Sequence, residues 1–177
     1  MRIIAGTLGG RTFDSPGSNR THPMSDKARG ALFNILGDIK GLSVLDPFAG
    51  SGALSFEAVS RGAKLATAIE QDKLAQKTIA SNIATLGLSE RVVLVKATAN
   101  AWFHKNKQLR FDLVLCDPPY DDLQWDLLER LSLLVKEQGL MVLSWPGGAD
   151  QPRMPDFDQV KQQAYGDMQL VFYRRVR

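Results

Sequence analysis

From Gly41 onward, short runs of aliphatic and β-branched residues alternate with longer stretches whose apolar positions recur at helical spacing. That alternation is the signature of successive βαβ units around a mostly parallel sheet. The runs predict strands over 43–47, 65–70, 91–95, 111–116 and 139–144. The intervening stretches predict helices over 51–61, 72–86 and 125–135. The first places Leu54, Ala58 and Arg61 on one face and stops before Gly62. The second stops at Gly87, and both glycines suit the residue just past a helix end. The third carries Leu127, Leu128, Leu131 and Leu134. A breaker-rich loop, Trp145-Pro146-Gly147-Gly148 with Pro152 and Pro155, follows the fifth strand. Beyond it, 160–164 and 168–174 flank Tyr165-Gly166-Asp167 and predict a closing hairpin on the sheet edge.

Residues 1–40 read differently. Two short strands over 2–7 and 10–14 are predicted to join across Leu8-Gly9. A loop rich in Ser, Gly, Asn and Pro then leads to Ser25, a suitable N-cap for a helix burying Ala28, Ala31, Leu32, Ile35 and Leu36. The expected organisation is an extension over 1–40 packed on a main domain over 41–177.

Composition narrows the class. A chain of 177 residues with 44% hydrophobic and 23% charged side chains builds one globular core and is not disordered. No apolar run approaches the roughly 20 residues needed to span a bilayer. Residues Met1 to Gly6 reach glycines and Arg11 before a signal-like segment can form. The one cysteine, Cys116, permits no intramolecular disulfide, and no Cys/His cluster has zinc-ligand spacing. A cytoplasmic, metal-free protein is expected, with Cys116 a buried small hydrophobe. Trp102 and Phe103 read as core and His104 as solvated surface.

Net charge is only +3, yet residues 1–40 carry six basic side chains against three acidic ones. Arg174, Arg175 and Arg177 make the other end positive around a mildly acidic middle. Such ends serve either as solubilising surface or as a footprint for a phosphate backbone.

Two constellations carry chemistry. Val44-Leu45-Asp46-Pro47-Phe48-Ala49-Gly50-Ser51-Gly52 is a strand running into a glycine loop and then a helix. Glycines let the backbone approach a ligand, and the free N–H groups of the helix start favour an anionic group. Glu70, ending the next strand, is placed to accept ribose hydroxyls. The dinucleotide fingerprint fits poorly, because Ser55 stands where its third small residue belongs and Asp46 precedes the loop. A cationic cofactor with one adenosine tolerates Asp46 better, and S-adenosylmethionine has that character.

The second is Asp117-Pro118-Pro119-Tyr120, closing the apolar run 111–116. Two prolines end ladder pairing and stiffen the turn. Asp117 and the Pro118 carbonyl are suited to accept the two N–H bonds of an exocyclic amine while Tyr120 stacks on the base. Positioning and electrostatics then dominate the methyl transfer, and no metal is needed.

With these motifs in hand, the sequence resembles the class I S-adenosylmethionine-dependent methyltransferases, and specifically the RsmD family of 16S ribosomal RNA guanine-N2 methyltransferases. The likeness runs along nearly the whole chain. Besides the two loops it includes Arg2-Ile3-Ile4-Ala5-Gly6, Gly10-Arg11, Ser25-Asp26-Lys27-Ala28-Arg29, Ala31 to Leu36, Ser60-Arg61-Gly62-Ala63 and Tyr165-Gly166-Asp167. The N-terminal segments are the family-specific part.

The resemblance implies a Rossmann-like α/β fold: a seven-stranded, mostly parallel sheet with its last strand antiparallel, helices on both faces, and a short N-terminal β-hairpin and helix. It implies methylation of the N2 amine of one guanine in 16S ribosomal RNA during small-subunit maturation, by a cytoplasmic monomer acting on RNA or a subunit particle. By position, Asp46, Phe48, Ala49, Gly50, Ser51, Gly52, Glu70, Gln71, Asn100 and Ala101 bind the cofactor. Asp117, Pro118, Pro119 and Tyr120 hold the guanine, and Arg2, Arg11, Arg20, His22 and Arg29 meet the RNA. Departures from the family pattern fall at Pro47, His22, Met24 and Gly30. Two alternatives stay open: an adenine-N6 methyltransferase acting on RNA or DNA, and a non-catalytic RNA-binding assembly factor. Asp117, where glutamine methyltransferases carry Asn, speaks against a protein substrate.

Overall fold

The computed structural model describes residues 1–17 and 24–177. Along the chain run α1 (Asp26–Leu36), β1 (Ser43–Asp46), α2 (Ala53–Ser60), β2 (Leu65–Glu70), α3 (Lys73–Leu86), β3 (Val92–Lys96), α4 (Ala99–Lys105) and β4 (Phe111–Cys116). They are followed by α5 (Trp125–Ser132), β5 (Val135–Pro146), β6 (Phe157–Tyr165) and β7 (Met168–Arg175). The strands form one seven-stranded sheet in the order β3-β2-β1-β4-β5-β7-β6. β1 to β5 are parallel, and β7 lies antiparallel between β5 and β6. From β1 the chain first builds outward to β2 and β3, then returns to lay β4 on the other side. Crossovers therefore diverge between β1 and β4, and the crevice at their carboxyl ends is where ligands bind in such sheets.

Side-chain alternation splits the core in two. Val44, Leu113, Leu115 and Val142 pack with α1, α2 and α3. Leu45, Val114, Cys116 and Leu143 pack with α4 and α5, where Trp102 and Phe103 are also buried.

Three expectations change in the structure. Every residue of α2 is buried, not one face alone. The reason is the N-terminal segment, which lies across its outer side: Ile4 N and Ala5 N donate to the Glu57 carboxylate at 2.8 and 3.1 Å, and Thr7 N donates to Ser60 O at 2.8 Å. Gly6, at φ +85°, passes so close that a Cβ would sit 2.0 Å from Ser60 O. Those same contacts explain the second change. The expected pair of N-terminal strands reduces to one bridge, Arg2 with Thr12, because Ile4 and Ala5 direct their N–H groups to α2. Third, α5 ends at Ser132 and β5 starts at Val135, earlier than the predicted 139. Lys136-Glu137-Gln138 falls between the predicted helix and strand but is an irregular strand opening, with a register shift opposite Phe111 and Leu113 and Gln138 at φ +61°.

Candidate active site

The polar groups at the switch point come from the carboxyl ends of β1, β2, β4 and β5. Asp46 closes β1 and is wholly buried. Its Oδ2 accepts the Ser55 hydroxyl at 2.8 Å, whereas its Oδ1 is buried with no hydrogen-bond partner. Burial pushes its pKa up to about 7, with the Asp117 and Glu70 charges adding to the push and Ser55 opposing it. An unmatched buried carboxylate oxygen is costly to leave alone, so it marks a place for a cationic or N–H-bearing ligand.

The loop after Asp46 is held by backbone and by Glu70. Ala49 N donates to Ile69 O at 3.0 Å, Gly52 N to Ala49 O at 2.7 Å, and Gly50 N to Glu70 Oε2 at 2.8 Å. Glu70 Oε1 accepts Asp72 N at 2.7 Å. Each carboxylate oxygen retains a second lone pair, so Glu70 both pins the loop and keeps accepting capacity. Gly52 caps α2 at φ +82°, and no side chain caps the helix start. A Cβ on Gly52 would stand 2.8 Å from the Phe56 ring, so both backbone and packing require glycine there.

The remaining cofactor candidates lie in and beyond this loop. Phe48 is half-buried against the α4–α5 core, Ser51 is buried and Gln71 is exposed. Asn100 and Ala101 open α4 on the exposed side. Asn100 Oδ1 accepts Arg130 Nη1 at 3.1 Å, and with Trp125 and Arg130 it lines an open depression of about 360 Å³.

Across the crevice, Asp117 follows Cys116 at the end of β4. Burial pushes its carboxyl up to about 6, and the nearby Ser144 hydroxyl pulls it down. Cys116 is buried, and burial with the Asp46 and Asp117 charges holds its thiol far above the usual range. Pro118 is buried and Pro119 exposed. Tyr120 leaves 38% of its surface exposed and sets its hydroxyl 2.6 Å from Ser144 Oγ.

The expected RNA contacts divide. Arg2 is 65% exposed, with Nε 3.0 Å from Asp26. Arg11 is exposed and donates to Thr85 O and Leu86 O at the end of α3. Arg29 is corrected: it is 1% exposed, donates to Arg2 O at 2.7 Å and Asp26 at 2.9 Å, and lies 3.8 Å from Glu57. A guanidinium enclosed by carboxylates and carbonyls meets no phosphate. Arg20 and His22 lie outside the described residues. Sequence reading weighed Ser55 only as a misfit to the dinucleotide fingerprint and missed its bond to Asp46; it missed Ser144 altogether, a common residue type with no motif around it.

Residues 1–174 match the model of a family described as "Conserved hypothetical protein 95". A Bacillus subtilis protein named "Putative rRNA methyltransferase YlbH" is 29% identical over 182 positions, covering 99% of each chain. "Ribosomal RNA small subunit methyltransferase D" of Haemophilus influenzae is 37% identical over 144 positions, covering 79% of this chain and 73% of its own. The solved structure "Putative methyltransferase yhhF from Escherichia coli" matches with a TM-score of 0.88 at 29% identity, covering 99% of this chain and 98% of that one.

Proposed function

From the premise that this chain belongs to the conserved hypothetical protein 95 family, the RsmD family of its sequence resemblance, we propose that it methylates the exocyclic N2 amine of one guanine in 16S ribosomal RNA during small-subunit maturation. S-adenosylmethionine is the donor, and the substrate is the RNA within a small-subunit particle, which sets the protein in the cytoplasm. The observation that carries the reading is the pair of carboxyls at the ends of the adjacent parallel strands β1 and β4, close enough for the Asp117 charge to raise Asp46: Asp46, with an unmatched buried oxygen, and Asp117, on a proline-stiffened turn.

The residues present suit the donor. Asp46 Oδ1 offers a buried anionic acceptor to its amino group, the uncapped start of α2 offers N–H groups to its carboxylate, and Glu70 keeps lone pairs for ribose hydroxyls. Asn100 and Ala101 flank the position expected for the adenine. When bound, S-adenosylmethionine supplies a methyl group activated on a cationic sulfur.

On the acceptor side, the Asp117 carboxylate and the Pro118 carbonyl take the two amine N–H bonds. The nitrogen is thereby turned out of conjugation and its lone pair aimed at the methyl. Tyr120 lines the base with an anchored ring. The base must leave its stack to enter so narrow a turn. Fixed dipoles and orientation carry the rate; as the N–C bond forms and the donor's S–C bond breaks, Asp117 or solvent takes the amine's surplus proton.

The test supplies labelled S-adenosylmethionine and unmodified small ribosomal subunits, then maps the labelled nucleoside. N2-methylguanosine at one position is the expected product. Label in N6-methyladenosine, or none, overturns the reading. Asp117→Ala is expected to bind the cofactor and incorporate no methyl; unchanged incorporation removes Asp117 from its role.

A further inference from the structure

We propose that Ser144, at the carboxyl end of β5, is a positioning residue that links the Tyr120 hydroxyl to the Asp117 carboxylate and fixes the loop receiving the target amine. The inference rests on the function proposed above and gives β5 a part on its acceptor side.

Three observations converge. Cys116, the last residue of β4, pairs with Leu143 of β5, so Asp117, one residue past β4, and Ser144 in β5 follow directly on that last pair. Leu115 and Val142 occupy the matching row two positions earlier and both face α1 to α3, the same side of the sheet. Ser144 is 2% exposed, a buried hydroxyl that must find partners, and its Oγ lies 2.6 Å from the Tyr120 hydroxyl.

Proton counting gives the chain a direction. A serine hydroxyl has one proton and two lone pairs, and a tyrosine hydroxyl has one proton. Burial pushes the Tyr120 phenol up to about 12, so it keeps its proton and donates to Ser144 Oγ. The Ser144 proton is left for Asp117. The charged and titratable groups around this chain are Asp46 on β1, Cys116 on β4 and Tyr120 itself, with Glu70 on β2 facing Asp46 and Asp167 in the β6–β7 turn facing Tyr120. All are acids, so the Ser144 hydroxyl is the donor that offsets burial at Asp117. Without it, the carboxyl gains a proton more readily, and the Tyr120 ring loses its tether.

The test uses the full chain as wild type, Ser144→Ala and Ser144→Thr. Carbon NMR titration follows the Asp117 carboxyl, and single-turnover methylation of unmodified subunits is timed across pH. In Ser144→Ala the Asp117 titration is expected to move upward. Methyl transfer is expected to slow about tenfold, with KM for S-adenosylmethionine within about twofold of wild type. Ser144→Thr, which retains the hydroxyl, is expected to restore both. An Asp117 titration identical in wild type and Ser144→Ala overturns the proposal. If wild type transfers no methyl, the function reading fails while the titration still decides Ser144. If Ser144→Ala loses its fold, Ser144→Cys, of similar volume but a weak donor, serves the same titration.

Discussion

At the residue scale, Asp46 shows most directly how stability yields to binding. Its carboxyl titrates at about 7 in the fold against an ordinary 3.8. The folded chain therefore holds more protons than the unfolded one between those values, and stability falls as pH rises through that window. Asp46→Asn removes the liability, so the ligand-free protein is expected to unfold several degrees higher than wild type at pH about 8. The gap should close near pH about 4. Calorimetry at the two pH values checks the sign, and cofactor titration of the same variant should show affinity lost at pH about 8, with the difference from wild type narrowing near pH about 4, where Asp46 is protonated. Asp117, at about 6, sets a separate limit: methyl transfer is expected to decline as pH falls through about 6, because a protonated carboxyl accepts one N–H fewer. A rate profile flat to pH about 5 contradicts that role. Asp46 and Asp117 were legible because each sits where a strand meets glycines or prolines. Arg29 was not: its charge reads as surface until the fold brings Glu57 to it, and no local pattern announces a pairing 28 positions apart.

At the element scale, the N-terminal segment and α2 act as one unit, joined through the buried Glu57 carboxylate and through Ser60. Glu57 is 0% exposed and accepts Ile4 N, Ala5 N and Arg61 Nε, the last at 2.7 Å, with Arg29 beside it. Removing one partner from a buried charged cluster leaves the others unpaired, typically at a cost of about 3 kcal/mol. Glu57→Gln is thus expected to lower the unfolding free energy by about that much. The equivalent change at half-exposed Asp26, Asp26→Asn, which leaves an amide oxygen to accept from Arg29, should cost less than Glu57→Gln. Denaturant melts of the two variants make the comparison, and equal losses would argue against the staple. The strands and helices of the sheet were readable because periodicity and glycine stops are local. α2 misled because a helix covered on both sides looks, in sequence, like an apolar helix with one face to spare.

Across the whole molecule, the sheet's two faces have different tasks. The N-terminal segment packs along the side of α1 to α3. Arg11, donating to Thr85 O and Leu86 O at the end of α3, sits by the amino ends of the strands, and among the described basic groups of the N-terminal segment and α1 the exposed Arg2 and Lys27 belong to the side of α1. The C-terminal arginines do not. β7 runs against the parallel strands, which takes Arg174 and Arg175 to the opposite sheet edge, where they donate to Gln138 O and Val135 O. On the proposed function, the N-terminal end, through Arg2 and Lys27, is the one expected to meet RNA entering the crevice. Lys27 and Arg2 are exposed and hold no part of the core with their side chains. Reversing both to Glu is expected to weaken binding to the small-subunit RNA and flatten the dependence of log K on log salt by about one unit per lost phosphate contact. Arg174→Glu should leave both affinity and slope as in wild type. Binding isotherms over a salt series decide between these: a slope unchanged by the N-terminal pair but reduced by Arg174→Glu would move the RNA to the other edge and separate it from Asp117.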